Sequence, residues 1–562
     1  MTDKPSISPT IRQWEEAGAS LTTALSNYFH LSLALGTNAS RDDYPSRDLA
    51  ARIDLALNTL HVTLDQQNSQ ARSALASTRN RILSSVNRLP NEVLSEIFAH
   101  VIYTPQDPLE PAPMKQSLLA MYRSIYKLLR VCSVWKKIIL ARGSFWSVIP
   151  ITFFTFSGRY AGDIDPTNIC IGRAQGGDLH LAAVLPSETD PGRLLDLTEH
   201  APRFRTVNIL SESCYSIGLI LHTLRNLGSS ANLSDLSIRY KRDNPQLNRL
   251  PREHDYIFSS STNSHVFEGL LKRISVLRLS GAPISWAGVS FSSQLVELEL
   301  QDFTLGHDSK LSMLMTALSS ATQLQHLQII SAKTFPDDPS STTKPTSKIS
   351  LPNLKTLLVR DLYFNTLHYL LSSITSRSHR LFLHLTRRTF EQAHPASEPV
   401  DVSAQDVLDL FGELTVDTLL LEAEEDDPWL AAEGVWEVLH AMPDVKHLLM
   451  HNWDYYKNFC EAIHNSSMPG SSFPSFKSMY FSGAKIRDEA AFRNMVASYS
   501  ESLERMQLGA MIGDGSEFTD AHCPVEESED LATWLEDHVP DFELIGEYYP
   551  LADFLPLEWQ LW

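Results

Sequence analysis

The chain has 562 residues, more than one compact core usually spans, so two or more domains or an extended repeat array is expected. Hydrophobic residues make up 43% and charged residues 20%, which excludes a disordered chain. The net charge of −20, densest at 422–427 and 525–537, argues against nucleic acid as a partner, because neutralising phosphates takes a basic surface.

Five cysteines (Cys132, Cys170, Cys214, Cys460 and Cys523) are widely spaced, odd in number and without a C-x-x-C pair. Reduced thiols in an intracellular protein are the simplest reading. The N-terminus lacks the apolar stretch of a signal peptide, and no run approaches 18 apolar residues. A chain without membrane spans, in cytoplasm or nucleus, is the expectation.

Residues 10–86 read as helix, broken around "GTNASRDDYPSR" (36–47). Beyond the break Ile53, Leu57, Leu60 and Leu64 alternate spacings of four, three and four, a short heptad-like seam. Two antiparallel helices packed on each other are expected, with self-association through the seam as the weaker alternative. "NRLPNEVLSEIFAHV" (87–101) then starts a new helix: Pro90 suits its first turn, where a missing N–H costs nothing. Glu92 favours the positive end of the helix dipole, and Leu94, Ile97, Phe98 and Val101 form one apolar stripe. Leu89 is a poor cap and is expected to be buried. The proline-rich "TPQDPLEPAP" (104–113) stops regular structure. Helix resumes with Leu118, Tyr122, Ile125, Leu129, Cys132, Trp135 and Ile139 spaced by three or four, and "FWSVIPI" (145–151) closes the region.

From about 200 onward one pattern recurs, apolar-x-x-apolar-x-apolar, as in Leu233/Leu236/Ile238, Ile274/Leu277/Leu279 and Leu295/Leu298/Leu300. Ten copies run from Phe204 to Leu508, with "RLFLHL" (380–385) filling the widest gap. The spacing marks a short strand whose alternate residues enter a core beside a turn that adds another. Helix-like stretches separate the copies, for example 313–323 and 435–443. No copy can bury its apolar face alone, so neighbours must stack into a solenoid with a parallel sheet on its concave side. A doubly wound domain is the competing arrangement. Insertions at 242–256, 333–348 and 389–399 read as polar loops. The strand-exposed Ser237, Arg278, Glu299, Gln328 and His447 carry no legible charge code. Leu551, Phe554, Leu557, Trp559 and Trp562 are expected to cap the last repeat, with an interaction tail as the alternative.

"LPNEVLSEIF", "LLRVCSVWKKII" and "FWSVI" together resemble an F-box, the small helical module that binds the Skp adaptor of cullin–RING ubiquitin ligases. The matching positions are Leu89, Pro90, Glu92, Ile97, Phe98, Val131, Cys132, Trp135 and Trp146. The long, proline-rich segment from Val101 to Ser117 departs from the compact family form. The N-terminal helices and divergent repeats resemble the fungal F-box proteins with leucine-rich repeats. The resemblance implies an adaptor-binding surface made by Leu89, Pro90, Glu92, Ile97, Phe98, Val131, Cys132 and Trp135, with the last three divided between core and interface. It also implies a cullin joined through the adaptor, a protein substrate held by the repeats, and no catalytic residue, the transfer of ubiquitin occurring on other subunits.

The residues agree on catalysis. No P-loop, G-x-G-x-x-G after a strand, G-x-S-x-G or H-E-x-x-H is present. His451, Cys460 and His464 are close in sequence but lack a ligand grouping, so no metal or cofactor is expected. The expected organisation is a helical segment over 1–84, an F-box-like domain over 85–150 and a leucine-rich-repeat-like solenoid with a C-terminal cap over 151–562. The expected class is thus α+β or α/β repeat, and the expected role a non-catalytic substrate receptor or, alternatively, a scaffold outside ubiquitination.

Overall fold

The computed structural model describes residues 8–38, 46–83, 85–104, 112–152, 166–185, 197–224, 233–241, 250, 252, 256–257, 261–337, 348–375, 379–395, 397–423, 429–464, 473–513, 522–525 and 529–546. Two compact units divide the chain at Leu94/Ser95.

The first unit is helical: α1 (Pro9–Asn38), α2 (Ser46–Leu55) and α3 (Val62–Leu83), with a π-helical segment Ala56–His61 joining the last two. The two arms meet at Tyr28 and His61, whose rings lie 5.8 Å apart. None of the described residues of α1, α2 or α3 is buried.

The second unit opens with the rest of α4 (Asn91–Tyr103), then α5 (Met114–Leu129) and α6 (Ser133–Ala141). A sheet follows, beginning at Val148–Thr152 and Leu179–Leu185. The sixteen strands of this sheet form an α/β array in which each main strand pairs with the next one along the chain. Neighbours are parallel throughout, save where Met511–Gly513 meets His522–Pro524. All ten copies of the sequence pattern fall on strands, and "RLFLHL" is itself the strand Arg380–Leu385.

Strand order never reverses. Parallel crossovers share one hand, so an unreversed order sets every intervening helix on the same face. A doubly wound sheet reverses its order and covers both faces, so that arrangement is excluded. Consecutive helices touch accordingly, Ala404–Gly412 against Ala432–Ala441 and that against Lys457–Ile463. Register aligns Leu236, Leu277, Leu298, Leu327, Leu357 and Leu381 in one row beneath the helices, none more than 3% exposed. Successive strand residues alternate faces, so the positions between them form the uncovered side.

Five strands end in the same device. The residue two places after the last inward side chain, Gly281, Asp302, Ser331, Asp361 or Asn452, adopts positive φ, and Gly483 repeats the conformation at an irregularity within Ser478–Ile486. The N–H of each of the five donates to a carbonyl of the next strand, as Gly281 does to Gln301 (2.9 Å) and Asp302 to Ile330 (3.0 Å). Gly, Asp, Asn and Ser are the small or locally hydrogen-bonding residues that tolerate this conformation best.

Three expectations need correction. The polar loop at 333–348 begins with a strand, Lys333–Phe335, paired to Thr304–His307; only 338–347 lie outside the described residues. The loop at 389–399 holds one arm of a small antiparallel pair, Glu391–Gln392 with Val400–Asp401. Leu89 is 38% exposed rather than buried. Much of the 242–256 insertion lies outside the described residues, as do Leu551, Phe554, Leu557, Trp559 and Trp562. At the described end, Asp541–Leu544 pairs with Arg505–Leu508 and extends the sheet.

Candidate functional site: two exposed faces

The helices α4 to α6 are fastened to the sheet by their buried stripe. Met114, Leu118, Met121, Tyr122, Ile125 and Leu128 of α5 are buried, and the Tyr122 hydroxyl donates to the Val148 carbonyl at 2.6 Å in the first strand. Burial keeps that phenol protonated far above the usual range, with the nearby Cys170 acting in the same direction. Trp146 is enclosed, its Nε1 donating to the Ile139 carbonyl at 2.9 Å. Cys132 is extended and caps α6, its Sγ accepting from the Trp135 N–H at 3.5 Å.

The sequence-selected residues divide between inside and outside. Phe98 is 1% exposed and packs against Trp135, ring centroids 4.7 Å apart, so it supports the surface from beneath. Trp135 and Cys132 are half-buried. Ile97 (43%) and Val131 (56%) are exposed; Val101 and Val134, which that selection passed over, are exposed as well. Ile97 and Val101 flank Phe98 in the sequence of α4, and Val131 and Val134 precede Trp135 at the start of α6. In the first unit Leu89, Pro90 and Glu92 are exposed, and the Pro90 carbonyl accepts the first helical bond from Leu94.

The second face is the uncovered side of the sheet. Register places the five strand residues singled out above in one row, Ser237, Arg278, Glu299 and Gln328, continuing through Leu358, Phe382 and Thr418 to His447. Ser237 is nonetheless buried. Arg278 bridges Glu297 (2.7 Å) and approaches Glu299 (3.8 Å). Burial raises the pKa of Glu299 against the opposing pull of Arg278.

Along the same face Leu420 and Leu449 form an apolar cluster of their own, with Tyr480 packed against them. Beside it His384 Nε2 lies 3.1 Å from Glu422 Oε2. Four histidines repeat one contact. His180, His326, His447 and His451 each place Nδ1 within 2.6–2.9 Å of the hydroxyl of Thr206, Thr356, Ser478 and Ser482, their register partners in the next strand. Sequence reasoning missed these rungs, although the signal was present as a histidine followed 26–31 residues later by a hydroxyl at the equivalent strand position.

Burial lowers the pKa of His180, His384, His447 and His451 from 6.5. Burial alone would raise Glu422, but its hydrogen bond to His384 and the neighbouring cations hold it low. The sign follows directly. Above 6.5 the histidines are neutral folded or unfolded; below it the unfolded chain takes up protons that the folded chain resists. Unfolding free energy should therefore fall as pH drops from 6.5, by about 1.4 kcal/mol per pH unit per proton. Protonating Glu422 at still lower pH adds to the loss. Thermal melts between pH 7.5 and 5 check this, and a flat midpoint would refute it; His384→Gln should flatten the slope.

Among the described residues no group of three His, Cys, Asp or Glu side chains could hold a metal. His451 and Cys460 are used otherwise: His451 in its rung, Cys460 in the core with its thiol pushed up to about 12 by burial. No helix among the described residues is long and apolar enough to cross a membrane. What both faces offer is shape, apolar surface and fixed hydrogen-bonding groups, which suits binding.

No family model matches the chain, and no curated protein matches it. Among solved structures it is similar to the crystal structure of a TLR13–ssRNA13 complex, at 12% identity and a TM-score of 0.25. That likeness covers 55% of this chain and 42% of the other, so the chain matches less than half the length of that structure's chain. A score so low carries no argument, and the account of the sheet rests on its register.

Proposed function

We propose that this chain is a non-catalytic receptor subunit of a cullin–RING ubiquitin ligase. In this reading α4 to α6 are an F-box-like module that binds a Skp-type adaptor. The stacked strands are a leucine-rich-repeat-like solenoid whose uncovered sheet face holds the protein to be modified. The observation that carries it is the exposure of Ile97, Val101, Val131 and Val134 on a small helical module whose own core is already complete. Apolar side chains left outside a finished core favour burial by a partner. The motif order from Leu89 to Trp146 supplies the identity of that partner by resemblance.

Co-expression with a Skp-type adaptor followed by size exclusion tests the reading. A 1:1 complex is expected, lost in a Leu89→Ala, Pro90→Ala variant, and able to recruit a cullin. Separate elution of the two soluble chains would overturn it. A complex that forms but excludes the cullin would favour the alternative role, a scaffold acting outside ubiquitination.

A further inference from the structure

Among the described residues α1 to α3 bury no side chain, and this is unusual for helices of such length. Isolated helices are marginal in water and draw most of their stability from burying an apolar face. Yet every described side chain of α1 to α3 remains at least partly open to solvent. The open residues are not scattered. Along α1, Ile11, Trp14, Leu21, Leu25, Tyr28 and Leu35 fall on one seam of alternating three- and four-residue steps, completed by Gly18 and Ser32, and the six large side chains are 37–56% exposed. Along α2 and the π-segment, Ile53, Leu57 and Leu60 repeat the step at 42–52% exposure, with Leu64 next in line.

Tyr28, on the α1 seam, is where the two arms meet. His61 follows Leu60 of the other seam directly, so the seams come close at this point, and both remain open. Phe29 (59%) and Leu31 (69%) widen the α1 stripe on both sides of Tyr28. A stripe wider than a single seam belongs to a helix that touches two neighbours, as in a four-helix bundle.

We infer that the first unit is half of a four-helix bundle, completed by the same two arms of a second copy of this chain. Charge favours a second copy as occupant. Residues 1–94 contain nine acidic and nine basic residues, a net charge of zero, whereas the whole chain carries −20. The unit can therefore approach its own copy without the repulsion the rest of the chain would impose. Dimension agrees as well. A 30-residue helix is about 45 Å long, and closing seams of that length covers roughly the 800 Å² per partner of a stable interface. The inference does not depend on the ligase reading.

The test uses the full chain in sedimentation equilibrium at micromolar concentration, with thermal melts of every variant. Wild type should sediment at twice the chain mass. Leu21→Glu with Leu25→Glu should weaken association by ~100-fold while the sheet's melting transition stays in place. Because that variant could simply unravel the arms, Ser32→Leu is the second probe. It replaces a polar seam position with an apolar one and should tighten the dimer by ~10-fold. A monomeric wild type, a dimer indifferent to Leu21→Glu/Leu25→Glu, or a Ser32→Leu chain no tighter than wild type would each overturn the proposal.

Discussion

A chain carrying Ile97→Glu and Val131→Glu should fold normally and lose adaptor binding by roughly 100- to 1,000-fold, the scale of truncating or charging interface anchors. Both side chains are exposed, at 43% and 56%, so glutamate costs the free protein little. In the proposed complex each carboxylate would be taken out of water without a partner, which costs far more. Phe98→Ala provides the contrast. That ring is 1% exposed and packed on Trp135, so its loss opens a cavity and costs about 3–5 kcal/mol of folding stability. Binding by affinity titration beside thermal melts separates the two. The surface pair should change affinity alone, Phe98→Ala the melting point first. Retained affinity in the surface pair would place the docking surface elsewhere.

Gly281→Val should be among the most damaging single changes in the sheet. Gly281 has φ +65°, and a Cβ there would lie 2.2 Å from the carbonyl oxygen of Tyr240, a backbone atom that cannot swing aside. Its N–H also holds the Gln301 carbonyl of the following strand, so displacement opens the ladder. Left-handed strain plus the clash suggest a loss of about 3–5 kcal/mol. Asp302 occupies the equivalent place one strand later with φ +54°. Asp302→Gly relieves that strain and should change stability by no more than about 1 kcal/mol. Chemical denaturation of both variants decides the matter, and equal effects would mean that the turn geometry is not what limits stability.

How much of this was legible beforehand follows from what one strand can reveal. Leu277 and Leu279 announce a strand because inward positions must be apolar and two apart, and every copy of that pattern proved to be one. The first strand, Val148–Thr152, has no such alternation; four of its five residues are buried, so it reads as a plain apolar run. The positive-φ residues were within reach, since Gly281, Asp302, Ser331, Asp361, Asn452 and Gly483 all stand two places after an inward residue. The histidine rungs left a fainter signal, a hydroxyl at the equivalent strand position 26–31 residues on, and it gains meaning only once the intervening residues have folded back to set the register, as they do for His326 and Thr356. On the helical face, periodicity placed Phe98 on the apolar stripe but could not tell that Trp135 closes over it while Ile97 stays outside.

The unreversed strand order also governs how the second unit would respond to force. Each main strand is held by the strands before and after it, with no distant pairing to lock the ends together. Pulled from its termini, such a sheet should give way from an edge, one strand and its helix at a time. Each release of some thirty residues would pay out about 100 Å of chain, giving a sawtooth of nearly equal teeth in place of one large rupture.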